Sequence, residues 1–191
     1  GSQGEETMLI GRARSHLLVI DMQEKLAPHV AGIDRVMENC RRLAVAAARL
    51  GVPVTISEHC PSAIGRTIGA LRSAAGTDAR AIEKVEFSCC RNAALKQRMA
   101  ELKRAGRDEI VVAGIEAHVC VCQTVLDLIA EGFEVFVAAD AIGSRLQETR
   151  DLAIGRMRRA GAAIVAQEMV IFEWLERADT AEFKELLAVI K

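Results

Sequence analysis

The strongest constraint on this chain is an alternation. Short apolar runs of about five residues are each followed by a longer stretch with apolar side chains at helical spacing. Leu17-Leu18-Val19-Ile20 is the first such run, and it stops at Asp21. A helix is predicted over 33–50, where Val36, Cys40, Leu43, Ala47 and Leu50 share one face, and Gly51 closes it as a C-cap. Residues 52–56 form a second run, in which Pro53 suits only the first positions or an edge. Residues 81–85, 109–113, 134–138 and 162–166 supply four more strands. Further helices are predicted over 92–104, 119–131, 147–160, 170–177 and 181–190. Strands separated by helices predict an α/β fold: a three-layer α/β/α sandwich whose six-stranded, mainly parallel, Rossmann-like sheet is covered on both faces. Crossovers are expected to be right-handed.

Composition narrows the function classes. At 191 residues and 51% hydrophobic content the chain can bury one core, so residues 15–191 read as a single domain. Residues 1–14, opening GSQGEETM, read as a tag scar and polar lead. Lys+Arg 25 against Asp+Glu 26, with 3% aromatics, argues against a nucleic-acid partner, which needs clustered positive charge and stacking platforms. No apolar run reaches the roughly 18 residues of a membrane span, so a cytoplasmic protein without a membrane partner is expected. The six cysteines are expected to be reduced, as suits a chain this apolar that shows no export signal, and neither Cys89-Cys90 nor Cys120-x-Cys122 has the gap of a thioredoxin-type pair. Their spacing does not serve zinc, and no metal or other cofactor is expected.

In open parallel sheets, ligands collect beyond the carboxyl ends of the strands. Those ends carry Asp21 and Gln23, then Glu58, His59 and Cys60, then Lys84, Glu86 and Phe87, then Gly114 to Cys120, and finally Asp140. A carboxylate, an ammonium and a thiol from three strands therefore converge on one rim. Cys120 is placed near the first turn of a helix, where unsatisfied N–H groups and a neighbouring lysine favour thiolate. A nearby carboxylate can accept the thiol proton and return it to a leaving amine.

LLVIDMQ at 17–23, the Lys84-x-x-Phe87-Ser88 segment and VVAGIEAHVCV at 111–121 together resemble the isochorismatase-like cysteine hydrolases. Gln123-Thr124, GFEVFVAADA at 132–141 and the tail segments 168–172 and 181–184 extend the resemblance to the C-terminus. It implies Asp21 as proton shuttle, Lys84 as triad lysine and Cys120 as nucleophile. It also implies a cis peptide between Ile115 and Glu116, with the backbone N–H groups of Glu116 and Cys120 as an oxyanion hole. Gln23, His59, Phe87, Ala117 and His118 are the candidate substrate-pocket residues. Gln23 either lines the pocket or hydrogen-bonds the loop after strand one. Phe87 is a pocket wall or a core residue, and His118 reaches the pocket mouth or faces solvent. Cys122, two helical positions on, points away from Cys120.

The chain departs from the nicotinamidase-type members in two places. Their metal-binding Asp-x-His segment, with its further His, is here Ser57-Glu58-His59-Cys60-Pro61, and Ala117 stands where many relatives carry Thr. The expected activity is hydrolysis of a small amide or related C–N substrate through a thioester. A silent binding member of the fold and a thiol-redox protein pairing Cys120 with Cys89, Cys90 or Cys122 are the alternatives. A small-molecule substrate and a homo-oligomer are the expected partners.

Overall fold

The computed structural model describes residues 7–190. A six-stranded, all-parallel sheet has the order β3-β2-β1-β4-β5-β6, with β1 (Ser15–Ile20), β2 (Val54–His59), β3 (Arg80–Lys84), β4 (Glu109–Ile115), β5 (Glu134–Gly143) and β6 (Ala163–Val165). The chain begins in the middle of the sheet, runs outward to β3, then returns to place β4 beside β1. The junction of β1 and β4 is thus the topological switch point, where the loops diverge and leave a crevice.

Side-chain alternation explains why both faces are covered. In β1, Leu17 and Val19 enter one core while Leu18 and Ile20 enter the other. In β4, Val111, Ala113 and Ile115 face the first, and Ile110 and Val112 the second. The first core packs α1 (Ile33–Leu50), α3 (Gly69–Ala74), α7 (Gln167–Leu175) and α8 (Ala181–Ile190), through residues such as Leu43, Leu71, Trp174 and Leu186. The second packs α4 (Ala93–Arg104), α5 (Cys122–Ala130) and α6 (Gln147–Ala160), through Met99, Leu128 and Met157. A four-residue helix, α2 (Pro61–Ile64), sits on the loop after β2.

Element edges differ from the sequence reading where tertiary contacts decide them. β2 starts after Pro53, whose carbonyl still accepts from Leu17 N–H, and runs on to His59. β5 extends to Gly143 because a register shift beside Val112 and Gly114 lets it rejoin β4 at Ile142 and Gly143. The helix expected from Val119 begins instead as a π-helical turn, Ala117–Val121, before α5 takes over. The lead read as 1–14 is not all outside the fold, although residues 1–6 lie outside the described residues. Ile10 is buried in the first core, and Gly11 N–H donates to Glu109 Oε1 at 2.8 Å. All six cysteines are free thiols. Among the described residues no helix is long and apolar enough to cross a membrane.

Candidate active site

Three strand ends bring the candidate residues together. Asp21 follows β1 with a φ of 51°, a left-handed conformation that L side chains adopt at a cost and that turns the chain off the sheet at the switch point. Its neighbour strand approaches very closely. A Cβ at Gly114 would stand 2.1 Å from the Ile20 carbonyl oxygen, so only glycine lets β4 carry the cysteine turn this near Asp21. Lys84 ends β3, two strands away, and its side chain reaches across the end of β2 to Asp21.

The ammonium is the hub. Lys84 Nζ donates to Asp21 Oδ2 at 2.9 Å and to the Glu86 carbonyl oxygen at 3.0 Å, and lies 3.4 Å from His59 Nδ1 and 3.6 Å from Cys120 Sγ. The other oxygen of Asp21 accepts from Ser57 Oγ at 2.7 Å. Both side chains of the Lys84–Asp21 pair are wholly buried, so the two charges exist there only as partners. Burial works to lower the Lys84 pKa, but the Asp21 carboxylate and the neighbouring thiols raise it above its ordinary value. Lysine stays charged.

The cysteine behaves otherwise than its sequence context suggests. Burial pushes the Cys120 thiol up, the Asp21 carboxylate pushes it further, and Lys84 offsets only part of this. Burial and the facing carboxylate thus work against the thiolate that the sequence context favours. Cys120 is 6% exposed and faces an acid as well as an amine, and it stands late in a π turn instead of at an open helix N-terminus.

The remaining candidates separate into groups. Gln23 is fully buried, and its amide is spent on backbone: Nε2 donates to the carbonyls of His59 and Gly65 at 2.9 and 2.8 Å, and Oε1 accepts from His59 N–H at 2.7 Å. It is a loop clamp. Phe87 is half exposed, not in the core, and stacks on His59 with ring centroids 5.5 Å apart. Ala117 is buried, and the Ile115–Glu116 peptide is cis. Glu116 Oε1 accepts from Arg145 N–H at 3.1 Å. His118 turns away from the hub: Nδ1 lies 2.8 Å from Ser144 Oγ, and the ring lines a separate cavity of about 190 Å³ with Cys122 and Arg156. A larger cavity of about 620 Å³ abuts Lys84 and is walled by Cys60, Ser62, Arg66, Glu86 and Asn92.

One contributor is missed in the sequence. Ser57 precedes His59 by two strand positions and so shares its face of the sheet, a signal that could have flagged it. Cys89, in the sequence a redox alternative for Cys120, also approaches the hub. Its thiol is fully buried and is pushed up to about 11, first by burial and then by the Asp21 charge, with Lys84 acting against them.

Asp21, His59 and Cys120 each place one potential ligand atom within 4.8 Å of the others. That donor set does not fit a divalent ion. Lys84 Nζ is already within 3.6 Å of all three groups, and a second cation beside that ammonium would meet direct repulsion.

The isochorismatase domain family model matches residues 15–169 of the chain. The chain belongs to the isochorismatase family. It is 31% identical to isochorismatase family protein 1B of Dictyostelium discoideum, over 93% of this chain and 86% of that protein. Among solved structures, the MAR1 ribonuclease of Caenorhabditis elegans superposes with a TM-score of 0.89 at 31% identity, covering 95% of this chain and 92% of that one. The YcaC protein of Escherichia coli, described as an octameric hydrolase of unknown specificity, shares the fold with a TM-score of 0.88 at 24% identity, over 97% and 92% of the two chains. The thiol, the acid and the amine that meet at the switch point all lie within the matched residues 15–169.

Proposed function

We propose that the protein is a cysteine-dependent hydrolase of a small amide or related C–N substrate, acting through a thioester. The observation that carries this reading is the buried Lys84 ammonium, bonded to Asp21 at 2.9 Å and 3.6 Å from Cys120 Sγ. Asp21 takes the Cys120 proton as sulfur attacks the carbonyl carbon, and Lys84 holds both anionic partners in register. The backbone N–H groups of Glu116 and Cys120 serve as donors to the tetrahedral oxyanion, each such donor being worth about 10²–10³ in rate. The C–N bond then breaks, protonated Asp21 gives its proton to the leaving nitrogen, and ammonia departs from a primary amide. Water, deprotonated by Asp21, adds to the thioester and the acid leaves as Sγ is expelled.

The test is ammonia release from a panel of small primary amides, with mass spectrometry of the quenched enzyme. Turnover by the parent, its loss in Cys120→Ala and an acyl adduct on Cys120 are expected; equal turnover by the two proteins overturns the reading. The C. elegans relative is named a ribonuclease. A net charge of −1 and a buried thiol favour the amide, and an RNA arm in the assay compares the two directly. A second reading, a silent binding member of the fold, draws on the 6% exposure of Cys120 and predicts no turnover and no adduct with any substrate. We also propose a homo-oligomer, supported by the exposed apolar side chains of Leu146 and Leu152, 62% and 67% accessible in a single chain.

A further inference from the structure

Lys84 has three N–H protons and four acceptors within reach. Asp21 Oδ2 at 2.9 Å and the Glu86 carbonyl at 3.0 Å take two of them, leaving His59 Nδ1 at 3.4 Å and Cys120 Sγ at 3.6 Å to compete for the third. An ammonium can only donate, so Nδ1 is the acceptor and the neutral ring carries its proton on Nε2. A neutral thiol is a poor acceptor and a thiolate a strong one. The winner of the third proton therefore depends on whether Cys120 is protonated.

The placement of His59 is built, not incidental. The Gln23 amide grips its backbone N–H and C=O together, at 2.7 and 2.9 Å, and Phe87 stacks on the ring at an interplanar angle of 21°. We propose that His59 is a positioning residue that acts through Lys84, holding the third N–H while the nucleophile is a thiol and yielding it to sulfur as the thiolate forms. No covalent bond to Lys84 breaks in this exchange. The Cys120 proton goes to Asp21, the Nζ–H swings from Nδ1 to Sγ, and both return when sulfur is expelled. The inference rests on the nucleophile reading above and adds a residue to it. It makes the thiol harder to ionise at rest, in line with the raised Cys120 thiol, and reserves ionisation for the moment of attack. The charged and titratable groups facing that sulfur are Asp21 after β1, Lys84 on β3, His59 on β2 and Cys89 after β3.

The experiment is the pH dependence of Cys120 alkylation by iodoacetamide, read by peptide mass spectrometry so that other thiols do not contribute. His59→Phe keeps a ring for the Phe87 stack and removes the acceptor. His59→Asn restores an acceptor near Nδ1. The expected result is a midpoint lowered by about one pH unit in His59→Phe and returned toward the parent in His59→Asn, with thermal unfolding of all three proteins compared. A midpoint unchanged in a folded His59→Phe, or lowered equally in both variants, overturns the proposal and leaves the nucleophile reading standing. Absence of Cys120 labelling at every pH in the parent overturns both.

Discussion

Lys84 and Asp21 are a buried ion pair from distant stretches of chain, and their energetics follow from burial. Removing one partner strands a charge in a medium that cannot solvate it, at a cost of about 3–5 kcal/mol, whereas removing both can be nearly neutral. Lys84→Met should therefore unfold in urea at a clearly lower midpoint than the parent. The Asp21→Leu/Lys84→Met double variant should recover most of that loss while remaining inactive. A double variant less stable than Lys84→Met would contradict this account. Burial also sets a pH dependence elsewhere. His16 is fully buried, and its pKa is lowered to about 3 by burial and then by the charges of Arg98 and Arg107. Thr55 Oγ1 accepts from Arg98 Nε at 3.0 Å and lies 2.8 Å from His16 Nε2, while Nδ1 has no partner. The unfolded chain binds this proton near pH 6.5 and the folded chain does not. The contribution is thus complete above pH 6.5 and is lost as pH falls toward 3. Between pH 7.5 and 5 the parent should lose about 2 kcal/mol more than His16→Gln in denaturant titrations. Asp21, Lys84 and Cys120 were legible as residues because each stands at a strand end within a family motif. The protonation of the thiol and the place of His59 were not, since both depend on charges that meet only in the folded molecule.

Elements were legible in proportion to how local their causes are. α1 and α6 match their sequence reading at both ends, and Gly51 and Gly161 close them in left-handed conformations, because periodicity and caps are written in adjacent residues. Asn92 caps α4 by accepting from Leu95 N–H at 3.1 Å, and Asn92→Ala should cost about 1 kcal/mol in thermal or urea unfolding. The π turn at Ala117–Val121 and the extension of β5 to Gly143 carry no such local signature; they arise where β4, β5 and the cysteine turn crowd together. Gly114 is the tightest point of that crowding, with a φ of 122° and the Ile20 backbone in the space a side chain would need. Gly114→Ala should lower stability by about 3 kcal/mol or more and displace the cysteine turn from Asp21. The check is a fall in Cys120 alkylation rate under conditions where the variant remains folded.

At the scale of the whole molecule, parallel pairing was readable because β1 and β4 are apolar on both faces, a pattern that only a sandwiched sheet tolerates. Where the lead joins the fold was not, because Ile10 and Gly11 are held by Glu173 and Glu109 from remote segments. Assembly is a matter of what one chain leaves uncovered. Sedimentation equilibrium should return a multiple of the chain mass, and Leu152→Glu should lower that multiple; a parent that sediments as one chain would overturn the oligomer. The Gln23 clamp has a wider consequence. The segment from Cys60 to Ile68 is fastened at its far end as well, where Glu24 N–H, Lys25 N–H and the Met22 carbonyl bond to Arg66, Ile64 and Ile68. Its interior can then exchange residues or change length while both moorings, and the imidazole at one of them, stay where they are. Selection can thereby redraw the wall of the cavity beside Lys84 without shifting the groups that meet at the ammonium.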